Sequence, residues 1–190
     1  MSIKNGIIFT LSVLLCALST HSSGSDSQIN WTPPSFSLAD VSGVSFRYPE
    51  DIERPTIVLF WATWCPYCRA LMPHLQSILD EYGGQVEVIA LNIREDEDPV
   101  EYLDRFGFQF RLFPEADETG NAWGIKGTPG LFLANAAGEV VFSRGAIPRE
   151  AFRLTEEEAK VLKNAQKAAR VAPLWAARMR VALDALLITP

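Results

Sequence analysis

Two cysteines, Cys65 and Cys68, stand three positions apart directly after the apolar run 57–62. The run is typical of a buried strand, and the apolar residues that follow it repeat with a helical period. A thiolate in the first turn of a helix lies against unpaired backbone N–H groups and the positive end of the helix dipole. Both features lower its pKa and make it nucleophilic near neutral pH. The pattern therefore predicts thiol–disulfide exchange.

The order of the two cysteines assigns a role to each. Cys65 is the predicted nucleophile, and Cys68, one helical turn later, is placed to resolve a mixed disulfide and close the ring. Pro66 suits the first helical position, where its missing N–H costs nothing. Trp64 stands directly before the pair and Tyr67 stands between the two cysteines, and both are expected to support the site. No cofactor is expected beyond a redox-active Cys65–Cys68 disulfide.

Two other uses of a cysteine pair are disfavoured. A structural zinc site usually has four ligands, and the other candidates are Cys16, His21 and His74. The first two lie in or beside a predicted signal peptide, so no metal site is expected. A disulfide that closes about four residues constrains the unfolded chain by roughly 2 kcal/mol, against about 4.7 kcal/mol for a long loop. Stabilisation is therefore a poor explanation of the pair.

The N-terminus predicts export. Residues 1–24 contain a lysine near the start, an apolar run over 7–18 and a small polar stretch, which is the layout of a secretory signal peptide. Cleavage is expected after Ser19 or a few residues later. An uncleaved membrane anchor is the alternative, whereas lipid attachment at Cys16 is disfavoured because Leu15 is not small. A periplasmic or other extracytoplasmic location, where disulfides persist, is therefore predicted.

Composition argues against nucleic acid as a partner. The 190-residue chain has a net charge of −6, and removal of the signal peptide, which contains Lys4 and no acid, lowers it to −7. There is no basic stripe to contact phosphates. The acidic run 95–98 is interpreted as a solvated loop. The length and the 48% hydrophobic content suit one domain with an appendage.

Apolar periodicity predicts alternating strands and helices around a mixed parallel and antiparallel sheet. Residues 25–34 are expected to form a lead-in without its own core, and the stretch through Pro114 and Trp123 is expected to be irregular. The predicted elements are a hairpin over 36–38 and 44–46, a strand over 57–62, a helix over 66–82 kinked at Pro73, a strand over 86–93, a helix over 99–106, and a hairpin over 130–135 and 139–143.

Two C-terminal helices are predicted, over 155–171 and from Pro173 to residue 187. Thr155 and Glu158 fit a capping box at the start of the first. We expect these helices to pack on the sheet or on each other. Contact with a partner or a membrane surface is the alternative, and the length and arginines exclude a transmembrane helix.

With these elements in place, the chain resembles the thioredoxin superfamily, specifically the TlpA/ResA-like extracytoplasmic thiol-disulfide oxidoreductases. The resemblance covers about residues 34–145, and its landmarks are the segments 36–43, 60–68, 123–129 and 131–138 together with Pro73. It implies an α/β thioredoxin-like fold, with a central mixed β-sheet flanked by helices, an N-terminal β-hairpin and a C-terminal helical extension. The predicted division is a signal peptide at 1–24, a thioredoxin-like domain at 25–154 and the extension at 155–190.

The resemblance also implies the geometry of the site. Cys65 is expected to be exposed at a helix start, and Pro129 is expected to be cis and to face the cysteine pair. Thr128, Pro129 and Gly130 would then bind the backbone of a substrate chain. Relatives often carry threonine at the position of Gly130. The glycine is interpreted either as extra room at this edge or as a plain turn residue.

Two acids found in relatives are missing. A buried aspartate of thioredoxins matches Leu59, and a glutamate of many TlpA-like reductases matches Leu71. Deprotonation of Cys68 would then depend on water or on a residue brought close by folding. His74 is a weak candidate, because its position on the helix is expected to point it elsewhere.

The predicted function is reduction of disulfides in exported proteins by the Cys65/Cys68 dithiol, which makes the chain a protein-disulfide reductase. The resemblance implies a membrane-bound electron donor. The alternatives are a dithiol oxidase or isomerase, and a binding module that docks an apoprotein, for example in cytochrome c maturation. A peroxiredoxin is disfavoured, because Val58 and Ala62 stand where its motif needs proline and threonine.

Overall fold

The computed structural model describes residues 28–148, 151 and 154–188, and the predicted signal peptide lies outside them. The strands are β1 (Gln28–Trp31), β2 (Phe36–Ala39), β3 (Ser45–Tyr48), β4 (Thr56–Trp61), β5 (Glu87–Asn92), β6 (Arg111–Phe113), β7 (Gly130–Ala134) and β8 (Val140–Ser143). The helices are α1 (Pro66–Tyr82), α2 (Pro99–Phe106), α3 (Asp117–Ala122), α4 (Glu156–Val161) and α5 (Asn164–Ile188). A 3-10 turn, Arg144–Ala146, follows β8.

The described strands form a six-stranded sheet in the order β1-β8-β7-β4-β5-β6 and a separate hairpin, β2-β3. β4 runs parallel to β5, whereas β7 pairs antiparallel with both β4 and β8. The predicted mixed sheet and N-terminal hairpin are therefore confirmed. Because β4 and β5 are parallel, their carboxyl ends meet at one edge of the sheet. The loop that carries Cys65 begins at that edge.

Strand β4 is buried along its whole length, between two apolar layers. Successive side chains of a strand point to opposite faces. Ile57, Leu59 and Trp61 belong to the cluster that includes buried residues of α1, α2 and α5. Val58 and Phe60 belong to the cluster that includes the hairpin β2-β3. The strand that precedes the cysteine pair is therefore held from both sides.

Strand β1 was not predicted. It pairs with β8, and the Trp31 ring lies 5.5 Å from the Trp123 ring and 6.0 Å from the Phe132 ring. The prediction of a lead-in without a core is therefore wrong, because Trp31 packs against the cluster of the second layer. Strand β6 and helix α3 likewise lie in the stretch predicted to be irregular.

The two predicted C-terminal helices are present, but the break falls at residues 162–163 and not at Pro173. Pro173 lies inside α5, so the predicted boundary is wrong. Proline removes one backbone N–H from a helix. Here Pro173 itself is exposed, whereas Ala172, Trp175 and Met179 are buried in the cluster shared with α1. That burial favours continuation of the helix.

Helix α5 packs mainly along α1 and also contacts the sheet at β7 and β8, which confirms only part of the expectation that the C-terminal helices pack on the sheet or on each other. The Tyr82 hydroxyl donates to the Asp184 carboxylate at 2.7 Å, and Arg180 pairs with Glu81 at 2.6 Å. Helix α1 has the predicted bounds and continues through Pro73. Among the described residues, no helix is long and apolar enough to cross a membrane.

Candidate active site

Cys65 is the N-cap residue of α1. Its backbone is extended, with φ −78 and ψ 111, and Pro66 follows in the first turn. The Cys65 sulfur accepts a hydrogen bond from the backbone N–H of Cys68 at 3.2 Å. An N-cap side chain stands where the unpaired N–H groups of the helix point. The predicted placement of Cys65 at the helix start is therefore confirmed.

Both cysteines are free thiols, and both are buried. Only 2% of the Cys65 surface is exposed, and Cys68 is fully covered. The exposure of Cys65 expected from the resemblance is therefore wrong. The two sulfurs belong to the same apolar cluster as Trp175 and Met179 of α5. A client disulfide must displace side chains at the rim before it reaches Cys65.

The two sulfurs differ in acidity. A hydrogen bond from the Cys68 thiol is the main reason that the pKa of Cys65 falls to about 6, against the opposing effect of burial. The Thr128 hydroxyl and the backbone N–H groups of Cys68 and Tyr67 lower that pKa further. Burial, and then the interaction with Cys65, raises the pKa of Cys68 well above its ordinary value. At neutral pH, Cys65 is therefore the thiolate and Cys68 the thiol.

The loop before β7 forms the opposite wall of the site. The Thr128–Pro129 peptide bond is cis, as the resemblance implies. The Thr128 side chain is half-buried, and its hydroxyl lowers the pKa of both cysteines. The Pro129 carbonyl accepts a hydrogen bond from Nε of Arg144 at 2.9 Å. Thr128 is thus a polar side chain that folding brings to Cys68, where it favours the thiolate but is too weak a base to accept the proton.

Neither interpretation of Gly130 is correct. It is the buried first residue of β7, pairs with Phe60 of β4 and has no positive φ, so it is not a turn glycine. A Cβ at Gly130 would lie 3.0 Å from Cδ1 of Ile125 and 3.2 Å from Cβ of Phe60. The space is therefore already filled. Glycine allows the close approach of these side chains to the backbone of β7.

Replacing Gly130 by alanine is expected to destabilise the fold by about 1–3 kcal/mol, because the added methyl group overpacks the contact with Phe60 and Ile125. The matched control is Gly127→Ala, since no atom lies within 4 Å of a Cβ at Gly127 and its φ is not positive. That control is expected to change stability by less than about 0.5 kcal/mol. Urea unfolding measures both, and equal midpoints would contradict the packing argument.

Trp64 and Arg94 join the two walls of the site. Trp64 is 44% exposed, and its Nε1 donates to the carbonyl of Arg94 at 2.7 Å. Arg94 has a φ of 54, which is uncommon for a residue other than glycine. Its guanidinium donates to the carbonyls of Ile125 at 2.8 Å and Lys126 at 3.4 Å. Arg94 therefore connects the cysteine loop to the loop that leads to Pro129.

The interpretation of the acidic run as a solvated loop is wrong for Glu95. Its half-buried carboxylate accepts hydrogen bonds from Thr63 N at 2.8 Å, Thr63 Oγ1 at 2.6 Å and Asn92 Nδ2 at 2.7 Å. The backbone N–H groups of Asp96 and Glu97 donate at 3.0 and 3.2 Å. Burial opposes ionisation, but these hydrogen bonds outweigh it and lower the pKa of Glu95. Glu95 therefore holds the loop that leads to Cys65.

Glu95→Ala is expected to lower the free energy of unfolding by about 1–3 kcal/mol, because it leaves buried donors on Thr63 and Asn92 without their acceptor. Since the pKa of Glu95 is depressed by folding, its contribution is present above the unfolded-state pKa and is lost as the pH falls through the folded-state value. Chemical unfolding at pH 7 and at acidic pH tests both statements. The control is the exposed neighbour Glu97→Ala, and an equal effect of the two variants would refute the assignment.

Tyr67, between the cysteines, packs against Trp175, and Trp175 in turn lies against Arg144; the sequence analysis identified neither residue as part of the site. The Tyr67 ring lies 6.0 Å from the ring of Trp175 on α5. The Arg144 guanidinium lies 4.9 Å from the Trp175 ring, within reach of a cation–π contact. These residues come from α1, α5 and the turn after β8, and no local motif marks either Trp175 or Arg144.

The positions of the missing acids are occupied by core residues. Leu59 and Leu71 are fully buried in the cluster below α1. Burial lowers the pKa of His74, and the charge of Arg180 on α5 lowers it further. The pKa of Cys68 is shifted by burial and by three neighbours, namely Cys65, the backbone of Ala62, and Thr128. His74 therefore lies toward α5, in agreement with the prediction that its position on the helix points it away from Cys68.

Comparison with known proteins agrees with this geometry. Residues 47–160 match the thioredoxin-like domain family. The thiol-disulfide oxidoreductase ResA of Halalkalibacterium halodurans is 36% identical over 109 residues, which are 56% of this chain and 62% of that protein. A thioredoxin of Synechocystis is 31% identical over 121 residues, 62% of this chain and 92% of that protein. The chain thus spans less than two thirds of the ResA relative.

A solved structure shows the same fold. It is described as a thiol:disulfide interchange protein of the thioredoxin family from Chlorobium tepidum, with a TM-score of 0.54 and 22% identity. The match covers 74% of this chain and 97% of that protein. The family match extends over more than half of the sequence and includes the cysteine pair and the cis proline. The chain therefore belongs to the thioredoxin-like domain family.

Proposed function

We propose that the protein is a thiol-disulfide oxidoreductase that reduces disulfide bonds in exported proteins. The observation that supports this proposal most directly is the unequal acidity of the dithiol. Cys65 has a pKa of about 6 at a helix N-cap, while the pKa of Cys68 is raised by burial. A stable thiolate beside a protonated partner is the starting state for reduction of a disulfide.

In the proposed reaction, the Cys65 thiolate attacks one sulfur of the client disulfide. The client S–S bond breaks, a Cys65–client disulfide forms, and the departing client thiolate takes up a proton. Cys68 then loses its proton to solvent, with its thiolate stabilised by the Thr128 hydroxyl, and attacks the Cys65 sulfur. The second client sulfur leaves as a thiolate and is protonated by solvent, and the Cys65–Cys68 disulfide remains. The dithiol has supplied two electrons and the single proton of Cys68, and the second proton comes from solvent because Cys65 began as a thiolate.

The electrons reside in the dithiol itself, so we propose no separate cofactor. A reduced thiol donor must regenerate the Cys65–Cys68 pair after each turnover. We propose a membrane-bound thiol–disulfide carrier for this step and an extracytoplasmic location for the reaction. Relatives that carry the names ResA and DsbE support the class of reaction.

The acidity of Cys65 also predicts the direction of transfer. Thioredoxin has a nucleophile pKa of about 7 and a potential of about −270 mV. A lower nucleophile pKa stabilises the reduced form, which raises the potential above that of thioredoxin. We expect the potential to lie closer to that of thioredoxin than to the value of about −120 mV of a strong oxidant.

Equilibration of the pair with glutathione redox buffers tests the proposal. We expect half of the Cys65–Cys68 pair to be oxidised at a potential closer to about −270 mV than to about −120 mV, together with reduction of a model protein disulfide by the reduced chain. A potential near −120 mV would instead support the dithiol oxidase. Failure to reduce any disulfide, with both thiols intact, would contradict an oxidoreductase of either direction.

A further inference from the structure

Four positive side chains around the dithiol form no ion pair with a carboxylate in the part of the chain that the structure describes. Among the described residues, ion pairs are formed by Arg47, Arg54, Arg111, Arg170 and Arg180. Arg69, Arg94, Lys126 and Arg144 take part in none of these pairs, although the whole chain has a net charge of −6. All four come from the helix and loops that form the walls of the site. The site therefore combines these positive side chains with the Glu95 carboxylate, in a chain that is acidic overall.

Arg144 is fixed in place but not saturated. Nε donates to the Pro129 carbonyl at 2.9 Å, and the guanidinium lies 4.9 Å from the Trp175 ring. Within residues 28–148 and 154–188, no carboxylate, carbonyl or hydroxyl accepts a hydrogen bond from its terminal amino groups. Burial lowers the pKa of Arg144, and the charges of Cys68 and Cys65 raise it. A partly buried guanidinium whose terminal amino groups have no acceptor among the described residues therefore lies beside the cysteine pair.

Arg144 is also one of the residues that line a groove beside the cis-proline loop. The groove has a volume of about 230 Å³ and is lined in part by Arg144, Lys126, Gly130, Phe132 and Ser143. We call it the cationic groove. Its lining includes the first residue after Pro129, so a chain bound along this loop would place a neighbouring side chain in it.

We propose that the cationic groove binds a carboxylate of the client, supplied by an aspartate or glutamate within a few residues of the client cysteine. The inference depends on the proposed function and adds the substrate class. A guanidinium forms paired hydrogen bonds with a carboxylate, and hydrogen bonds to charged groups are stronger than neutral ones. Arg144 already has its orientation fixed, so little side-chain freedom is lost when the carboxylate binds. Lys126 adds a second positive charge at the exposed end.

Net charge alone predicts the opposite preference. A chain of charge −6 with a thiolate nucleophile would attract a cationic disulfide and repel an anionic one. A preference for anionic disulfides would therefore have to come from the local positive groups. This contrast separates the proposal from a general electrostatic effect.

Three disulfides of similar size provide the test: 3,3′-dithiodipropionate (anionic), 2-hydroxyethyl disulfide (neutral) and cystamine (cationic). The full chain in its reduced form is mixed with each at pH 7, and the rate of Cys65 oxidation is measured. We expect at least about a 10-fold preference for dithiodipropionate over cystamine, the size expected for one hydrogen-bonded charge contact. In Arg144→Gln, the ratio of the dithiodipropionate rate to the 2-hydroxyethyl disulfide rate should fall by about 10-fold.

Several variants keep this test decisive. Lys126→Gln, at an exposed position, should lower the preference without affecting folding. Arg144→Lys retains the charge and should retain part of the preference. Arg105→Gln and Lys163→Gln remove exposed charges from outside the groove and should leave the preference for the anionic disulfide unchanged.

Three results would overturn the inference or its basis. An unchanged preference in both Arg144→Gln and Lys126→Gln, or no preference in the unmodified chain, overturns the carboxylate site. Equal slowing with all three disulfides in Arg144→Gln also overturns it, and assigns Arg144 to stabilisation of the thiolate alone. If the unmodified chain reduces none of the three, the proposed function fails instead of the carboxylate site.

Discussion

Cys68→Ala is expected to stop the reaction at a covalent complex between Cys65 and the client. The variant retains the nucleophile at the N-cap of α1, but lacks the thiol that would expel the captured chain. Incubation with oxidised envelope proteins should give high-mass species that disappear on reduction. Mass spectrometry of these species identifies the clients and the sulfur atom that holds them.

Cys65→Ser should abolish turnover and prevent trapping. Loss of a catalytic nucleophile lowers activity by roughly 10⁴-fold or more. The remaining Cys68 is fully covered and its pKa is raised, so it is not expected to capture clients in place of Cys65. Capture of clients through Cys68 in the Cys65→Ser variant would reverse the assigned roles.

The double variant Cys65→Ser, Cys68→Ser separates an enzyme from a binding module. Both side chains are nearly isosteric with the originals, so the fold should persist. Complete loss of client reduction agrees with the oxidoreductase. If cells that carry the double variant retain the function of the protein, for example cytochrome c maturation, the dithiol is dispensable and the protein works by docking an apoprotein.

The parts of the site that follow from the sequence are those encoded locally. A buried strand, a cysteine at a helix start and a second cysteine one turn later occupy one continuous segment, 57–68, and the structure has them as predicted. The cis peptide bond at Pro129, before β7, was predicted from the resemblance of the short segment around it to the thioredoxin superfamily. Periodicity also gave the bounds of α1 and α2, because each begins at proline and ends before glycine.

The parts that could not be predicted depend on contacts between distant segments. Glu95 reaches Thr63 across 32 positions, because β4 and β5 are parallel and end side by side. In the sequence, Glu95 is one of several neighbouring acids without a distinguishing pattern. Arg144 and Trp175 meet at the site because α5 packs on α1. Pairing of this kind is a property of the folded chain.

Local signals also failed where tertiary packing was stronger. Pro173 suggested a helix start, but the buried face of α5 continues through it. The glycine at position 130 suggested a turn or spare room, but the structure places it against Phe60 and Ile125. In both cases the prediction was based on the backbone properties of the residue type, whereas the packing of neighbouring side chains determines its role in the fold.

The reactivity of Cys65 should persist into acid. With a pKa of about 6, about 10% of Cys65 is thiolate at pH 5, compared with about 0.03% of an ordinary thiol of pKa 8.5. A thiolate of lower pKa is less nucleophilic, and this reduces the advantage by about 10-fold. Alkylation by iodoacetamide at pH 5 should therefore be roughly 30-fold faster for Cys65 than for free cysteine.

The full pH profile of alkylation should have its midpoint near pH 6. Thr128→Val, which removes the hydroxyl that lowers the pKa of both cysteines, should move the midpoint upward by on the order of one unit. Serine at position 128 retains a hydroxyl and should restore most of the shift. A midpoint near 8.5 in the unmodified chain would contradict both the acidity of Cys65 and the proposed reaction.

The same acidity determines how stability depends on pH. The pKa of Cys65 is depressed in the folded state, so its contribution is present above the unfolded-state pKa and is lost as the pH falls through about 6. Cys68 has a raised pKa, so its thiol contributes below the unfolded value and opposes folding as the pH rises beyond it. The reduced protein should therefore gain stability from about pH 6 to about 8.5, relative to the oxidised form. Thermal unfolding of the two forms in parallel measures this difference, because the other titrating groups are common to both. A difference that stays constant over this range would show that Cys65 titrates in the same way in the folded and unfolded chain.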